Sequence, residues 1–281
     1  MRRDYLERIK KENGWIFDKD FKANLICTDD ADSVLSCFML LHYYPERFEI
    51  GYFYDFRDGL YMKLGINEDL PMVGVDLSHP TIKCISNHLT KMFPPDTVNK
   101  NDINLNIIDN NDARNYFAKY NLNTFLLVSS LCGHEFDNDI GKVIALLPDS
   151  AYKPRFQPIQ YQDRDVQEKY LYILGYGNML DVLDKYGRDK FIRAQNALNI
   201  YSKVWVTDTG IEFVENVDLE VICKYIGINY NPSILEGLFY LTEKHRSSTG
   251  KIDKMYDKED YFSFAITRQN QVKYSYRVDL R

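Results

Sequence analysis

Apolar and polar positions alternate along the first part of the chain in blocks with the lengths of strands and helices. Short apolar runs at 23–28, 48–55 and 72–77 have the length of buried strands. The segment 31–44, between the first two runs, is apolar over a helical length, and 2–13 has the pattern of an amphipathic helix. Buried strands that alternate with helices predict an α/β domain with a mostly parallel sheet.

The pattern changes after about residue 200. Segments 203–215 and 262–278 alternate like hairpins, with turns at 208–210 and 269–270, and 218–227 is helical. We therefore predict a smaller α+β domain at the end of the chain. The predicted division is an α/β domain over 1–157, a helical connection over 158–200 and an α+β domain over 201–281.

Composition narrows the class of protein. The chain has 281 residues, of which 45% are hydrophobic, enough to bury a large core. Its five cysteines contain no Cys-x-x-Cys pair and no apolar leader begins the sequence, which predicts a reducing, cytoplasmic location. No apolar run reaches the ~18 residues of a membrane span. The net charge of -6 disfavours tracking along a long nucleic acid and favours a short anionic substrate neutralised by a metal.

Acidic residues follow the predicted strands. Asp30 and Asp32 form an Asp-x-Asp pair at a strand end and helix start, where two carboxylates can bind Mg²⁺ or Mn²⁺. Aspartate is also a common helix N-cap, worth about 1 kcal/mol, and spacing alone leaves both interpretations open. Asp76 ends another strand, His88 follows it, and Asp149 ends an apolar run. Four acids and one imidazole from separate segments suit a two-metal phosphoryl-transfer site.

The order of these segments resembles that of a known family. "TDDADSVLS", "VGVDLSH", "ISNHLT" and "IALLPDSAY" follow one another like the motifs of the DHH phosphoesterase superfamily. That superfamily includes RecJ-type single-strand exonucleases, short-oligonucleotide phosphodiesterases and family II inorganic pyrophosphatases. The resemblance covers roughly residues 20–155 and implies a fold of this type, with substrate bound between two domains.

The resemblance also implies an activity and a set of ligands. Mn²⁺ or Mg²⁺ would be held by Asp30, Asp32, Asp76 and Asp149, with His88 completing the shell or binding the scissile phosphate. Asp76 and His88 would be the catalytic residues. The implied reaction is hydrolysis of a phosphodiester in a nucleotide or a short single-stranded oligonucleotide, by two-metal activation of water.

The third motif departs from the family. Ser86, Asn87 and His88 stand in place of Asp-His-His, so that Asn87 replaces the first histidine and would be a weak oxygen ligand. An alternative alignment puts His88 at the ligand position and Asn87 at that of the acid. The alternative function is a degenerate DHH-like fold that acts as a nucleotide-binding or protein-interaction module. An unrelated α/β domain, the third hypothesis, predicts that Asp32 and Asp149 lie far apart.

Four other residues are candidates for substrate binding, each with an ordinary structural alternative. Arg57 follows the second strand and suits a phosphate, or an exposed loop with a local ion pair. His79 follows Asp76 by three places and suits a missing imidazole, or a turn. His245 and Arg246 belong to a predicted basic loop that suits phosphate, or solvent.

One polar segment, 132–139, contains a cysteine, a histidine and three acids. It lacks the paired ligand spacings of a structural zinc site. We predict a polar loop in which Asp137 or Asp139 caps the next helix, and Asp137 is a reserve candidate for the fourth motif.

Overall fold

The described part of the chain forms one large sheet covered by helices and a separate two-stranded sheet. The structure is a computed structural model, and it describes residues 1–160, 162–252 and 256–278. The strands are β1 (Ala23–Thr28), β2 (Phe48–Asp55), β3 (Gly59–Lys63), β4 (Met72–Val75), β5 (Lys83–Ile85), β6 (Asp102–Ile103), β7 (Val204–Val206), β8 (Ile211–Phe213), β9 (Phe239–Lys251), β10 (Ser263–Arg268) and β11 (Gln271–Arg277).

Helices connect and cover these strands. The α-helices are α1 (Arg3–Glu12), α2 (Ala31–Tyr43), α3 (Leu105–Ile108), α4 (Thr124–Leu131), α5 (Asp139–Ala145), α6 (Lys153–Phe156), α7 (Asp163–Leu174), α8 (Met179–Ala197) and α9 (Leu219–Ile226). Shorter 3₁₀ turns are Gly14–Ile16, Ala113–Ala118, Pro148–Ser150, Pro232–Ile234 and Lys258–Asp260.

The large sheet has a parallel half and an antiparallel half. Its strand order is β10-β11-β9-β3-β2-β1-β4-β5-β6. Strands β2, β1, β4, β5 and β6 are parallel to one another, whereas β3, β9, β11 and β10 extend the sheet through antiparallel pairings. The predicted α/β class is confirmed, and the carboxyl ends of five parallel strands meet at one edge.

The C-terminal strands join this same sheet. Strand β9 pairs with β3 along one side and with β11 along the other. Strand β10 also contacts the N-terminal half, because Phe264 N donates to Ser78 O at 3.1 Å and Ile266 N donates to Leu89 O at 2.7 Å. The predicted basic loop around His245 is wrong, since these residues lie in β9. The predicted hairpins are observed as β7–β8 and β10–β11, and the division into domains stays a prediction.

A buried serine joins the centre of the sheet to its first covering helix. All six residues of β1 are buried, as expected for a central parallel strand covered on both faces. Ser33, in the first turn of α2, accepts a hydrogen bond from Thr28 N and donates one to Val75 O, both at 2.8 Å. These bonds fix α2 at the ends of β1 and β4, where the acids of the predicted first and second motifs follow.

The helices show no membrane span. Within the described ranges, no helix is both long enough and apolar enough to cross a bilayer. The longest, α8, has 19 residues but carries charged side chains along its length.

The Ser33 connection predicts a stability difference between two buried serines of α2. Ser33→Ala leaves the Thr28 N–H and the Val75 carbonyl without this partner, and we expect a loss of about 1–3 kcal/mol in the free energy of unfolding, measured with urea. Ser36→Ala is the matched control, because the buried Ser36 Oγ has no hydrogen-bond partner among the described residues. Equal losses in the two variants would contradict the role given to Ser33.

Candidate metal centre

Three aspartates from separate elements converge at the carboxyl edge of the parallel strands. Asp32 lies in the first turn of α2, Asp76 directly follows β4, and Asp149 lies in the 3₁₀ turn Pro148–Ser150. One carboxylate oxygen from each lies within 4.8 Å of the others. Ligand oxygens around one Mg²⁺ or Mn²⁺ lie at most about 4–4.5 Å apart, so small side-chain rotations suffice for all three to share an ion. We call Asp32, Asp76 and Asp149 the carboxylate triad.

Asp30 has a different position from Asp32. Its Oδ1 accepts a hydrogen bond from Ser33 N at 3.3 Å, so Asp30 is the N-cap of α2. Its Oδ2 lies 3.7 Å from Lys203 Nζ. Asp30 therefore has the capping role that spacing allowed, while its neighbour Asp32 belongs to the triad. The third hypothesis, an unrelated domain, required Asp32 and Asp149 to lie far apart, and their oxygens lie within 4.8 Å.

The N-terminus of α4 holds two members of the triad. Asp32 accepts hydrogen bonds from Thr124 N and Phe125 N, both at 2.8 Å. Thr124 Oγ1 donates to Asp76 Oδ1 at 2.6 Å. Free N–H groups and the helix dipole stabilise negative charge at such an end. Thr124 was not predicted as a site residue, although Asn123, a capping residue before an apolar run, signals the start of a helix there.

Two members of the triad have unusual backbone conformations. Asp76 has φ 56° and Asp149 has φ 52°, and Ser150 after it has φ 56°. This left-handed region costs an L-residue roughly 1–2 kcal/mol. Strain of this kind persists where the surrounding structure enforces it, and it concentrates at functional sites. The backbone thus holds both carboxylates at this edge at a cost to stability.

Asn87 contacts the triad through its amide nitrogen. Its Nδ2 donates to Asp149 Oδ2 at 2.9 Å and to Leu122 O at 3.2 Å. Because both partners are acceptors, the amide oxygen does not face Asp149. Asn87 therefore orients Asp149, which differs from its predicted role as a weak ligand.

His88 presents an uncommitted ring nitrogen near the triad. Its Nδ1 is buried and has no hydrogen-bond partner among the described residues. Burial lowers the pKa of His88 to about 4, against a smaller opposing effect of Asp149, so the ring is neutral at pH 7. A neutral imidazole nitrogen can bind a metal or accept a proton.

Burial and mutual repulsion destabilise the charged forms of Asp30, Asp32 and Asp76. Burial, and then the charge of Asp149, raise the pKa of Asp32 well above its ordinary value and that of Asp30 to about 6. Burial, and then the charge of Asp32, raise the pKa of Asp76 in the same direction. The nearby ammonium group of Lys203 opposes the shift at Asp30 but does not cancel it. Such shifts mark buried carboxylates whose negative charge is not fully compensated.

A cleft of about 480 Å³ opens beside the triad. Asp30 and His88 line it, as does Leu77, which follows Asp76, whereas the three triad residues are not part of the lining. Its other lining residues include three basic side chains and two aromatic rings, namely Arg57, Lys203, Lys273, Phe56 and Phe264. Lys203 Nζ lies 3.0 Å from Asp29 Oδ1, and Lys273 Nζ lies 5.1 Å from the centre of the Phe56 ring. The cleft thus combines positive charge with flat apolar surface, and sequence reasoning identified neither Lys203 nor Lys273.

The predicted substrate-binding residues separate into two groups. Arg57 lines the cleft and pairs with Asp55 at 3.2 Å, the local ion pair that was its alternative interpretation. The cleft lining does not include His79, His245 or Arg246.

Local contacts explain the position of these other residues. His79 Nδ1 accepts a hydrogen bond from Thr81 N at 3.1 Å, as in a turn. His245 is buried and lies 3.2 Å from Glu243, while Arg246 is exposed on β9.

The loop 132–139 supplies no triad member. Asp137 is exposed and lies outside the triad. The N-cap of α5 is Asn138, whose side chain accepts from Gly141 N at 2.8 Å, so the predicted caps Asp137 and Asp139 are both wrong.

The raised pKa values predict how stability depends on pH without metal. The folded protein retains protons that the unfolded chain releases near pH 4, so these acids contribute less to stability as the pH rises from about 4 to above 6. Asp76→Asn removes one such group while keeping an acceptor for Thr124 Oγ1. With chelator present, we expect the difference in the free energy of unfolding between Asp76→Asn and the wild type to favour the variant more at pH 7 than at pH 4.5. The exposed Asp69→Asn is the control, and an equal effect there would contradict the prediction.

The function of this site has to be inferred from the positions of its own residues, because no similar protein was found. Comparison of the chain with protein-family models, with curated proteins and with solved structures found no match. The DHH-like order of motifs therefore remains an inference from the sequence itself. What the site can do follows from the triad, from His88 and from the cleft beside them.

Proposed function

We propose that the protein is a metal-dependent phosphoesterase that hydrolyses a phosphodiester in a nucleotide or a short single-stranded oligonucleotide. The observation that carries the proposal is the convergence of Asp32, Asp76 and Asp149 beside a basic cleft. The order of their segments, which resembles that of the DHH phosphoesterases, supports the same reaction class. Mn²⁺ and Mg²⁺ are the cations considered.

The residues fit such a cation by their chemistry. Carboxylate oxygens are preferred ligands of Mg²⁺ and Mn²⁺, and three of them face one another without a cationic side chain in direct contact with any of the three among the described residues. The unpartnered Nδ1 of His88 lies outside this group of three, and an imidazole nitrogen that moved to the ion would suit Mn²⁺ better than Mg²⁺. A divalent cation bound there would neutralise phosphate charge and lower the pKa of water.

The other side chains of the cleft suit an anionic, aromatic substrate. Lys203, Arg57 and Lys273 place positive charge where phosphate oxygens would lie. Phe56 and Phe264 offer faces on which a base can stack. The cleft volume of about 480 Å³ suits a small ligand, in keeping with the acidic net charge of the chain.

The reaction itself requires few groups from the chain. An oxygen of water forms a bond to phosphorus, the ester P–O bond breaks, and the leaving oxygen takes up a proton. His88, neutral at pH 7, can accept a proton or hydrogen-bond to a phosphate oxygen. Asn87 and Thr124 keep Asp149 and Asp76 in position.

The second candidate function is a binding module without catalysis. It is favoured by Asn87, which stands where the family has a histidine and contacts Asp149 through nitrogen. Such a module would bind nucleotide in the cleft or a protein partner, and would not hydrolyse phosphodiesters. Metal binding and turnover therefore separate the two functions.

Removing one triad carboxylate tests the catalytic proposal. We expect the purified protein to bind Mn²⁺ in calorimetry and to hydrolyse bis(p-nitrophenyl) phosphate only with Mn²⁺ or Mg²⁺. Asp76→Asn should lower kcat by roughly 100-fold or more, because a ligand charge is lost. Asp69→Asn, on an exposed loop, should retain wild-type activity. A protein that binds no Mn²⁺ contradicts the proposal, and one that binds Mn²⁺ and nucleotide without turnover supports the binding module.

His88 gives a second test. His88→Gln should lower kcat by roughly 100-fold, the usual effect of losing a positioned acid, base or ligand. His42→Gln is the control, since His42 Nδ1 accepts from Asn229 N at 3.2 Å and does not line the cleft. Equal rates for the two variants would remove His88 from the mechanism.

A further inference from the structure

We propose that the site uses a single divalent cation, and that the ammonium group of Lys203 supplies the second positive charge at the scissile phosphate. The inference rests on the proposed function and goes beyond it, since it replaces the two-metal arrangement implied by the sequence resemblance. It names Lys203 as a phosphate-binding residue.

The described residues provide ligands for one ion near the triad. The triad contributes three carboxylates, and His88 lies outside this group of converging ligand atoms. A second ion in a two-metal site lies ~3.5–4 Å from the first and needs its own ligands. Among the described residues, the triad is the one group of three or more candidate ligands whose atoms converge.

Three other polar side chains considered as ligands lie outside the triad and have partners of their own. Asp30 caps α2 through one oxygen and approaches Lys203 with the other. Asn87 directs its amide nitrogen, which cannot bind a cation, to Asp149. His79 uses Nδ1 as an acceptor for backbone N–H groups in its turn. None of the three belongs to the group of converging ligand atoms in the described residues, so a second cation would lack a set of ligands of its own.

Local contacts hold Lys203 at the cleft, close to Asp29 and Asp30. The backbone beside it is fixed, because Val204 N donates to Asp29 O at 3.1 Å and Val214 N donates to Lys203 O at 2.8 Å. Its Nζ lies 3.0 Å from Asp29 Oδ1 and 3.7 Å from Asp30 Oδ2. The hairpin β7–β8 thereby brings an ammonium group to the loop between β1 and α2, where the predicted first motif lies.

The ammonium group is also accessible to a ligand. The Lys203 side chain is 55% exposed and lines the cleft together with Asp30 and His88. A lysine is a compact point charge with three donors, so it can keep contact with Asp29 while it binds a phosphate oxygen. An ion pair with a purely structural role would not need to face the cleft.

Metal stoichiometry tests the first half of the inference. Calorimetry and the electron paramagnetic resonance signal of Mn²⁺ should give one tightly bound ion per wild-type chain, with no coupled second ion at millimolar Mn²⁺. Two coupled ions per chain would overturn the inference and leave the proposed function intact. No bound ion at all would overturn both.

Lys203 variants test the second half. Lys203→Gln should retain the single Mn²⁺, bind inorganic phosphate at least roughly 10-fold more weakly, and lose roughly 100-fold in kcat/KM for bis(p-nitrophenyl) phosphate. Lys203→Arg should restore much of both, because it restores the charge. Lys185→Gln is the matched control, since Lys185 pairs with Asp139 at 2.7 Å on an exposed surface outside the cleft.

The outcomes separate the possible failures. Unchanged phosphate binding and kcat/KM in Lys203→Gln would overturn the role of Lys203. If Lys203→Gln does not fold, Lys203→Arg decides the question. A folded and fully active Lys203→Arg in which inorganic phosphate competes with substrate would support the need for a positive charge at this position. Failure of phosphate to compete there would overturn the inference, and wild-type turnover with Mn²⁺ would still support the proposed function.

Discussion

The hydrogen bonds between the first turn of α4 and two buried aspartates are the contacts on which the site depends. Thr124 N and Phe125 N bind Asp32, and Thr124 Oγ1 binds Asp76. Without these donors, two carboxylates would face each other in a buried edge with little compensation. Asp32 lies in α2, Asp76 follows β4, and the donors belong to α4. The packing of these three elements therefore determines where the two carboxylates lie.

Strands β1, β2 and β4 of the parallel half could be predicted from sequence because their signals are local, whereas the short strands β5 and β6 were not predicted. Segment 23–28 is apolar over a strand length, and the segment from residue 31 is apolar over a helical length. Strand β9 was predicted as a loop because residues 242–251 are polar and contain a glycine. Its strand conformation comes from β3 and β11, which pair with it on both sides and lie far away in the sequence. Nonlocal pairing of this kind leaves no local period to detect.

The same distinction applies to the site. Asp32, Asp76 and Asp149 could be named as candidates because acids at strand and helix ends are visible in sequence. Thr124 and Lys203 could not, since a helix N-terminus and a hairpin bring them to the carboxylates only in three dimensions. The role of Asn87 also required coordinates, because the sequence does not say which end of an amide faces a neighbour.

The carboxylate triad lowers the stability of the folded protein, and this cost is evidence about its role. Asp76 and Asp149 occupy left-handed backbone conformations, and burial and mutual repulsion raise the pKa of Asp32 and Asp76. A chain selected for stability alone could place amides at these positions and keep most of the hydrogen bonds. Charged groups retained against strain, burial and repulsion are typical of a site that binds a compensating positive charge. A cation bound by the triad would neutralise the repulsion between the carboxylates and stabilise the folded protein. The same repulsion that destabilises the metal-free protein would therefore favour binding of the cation.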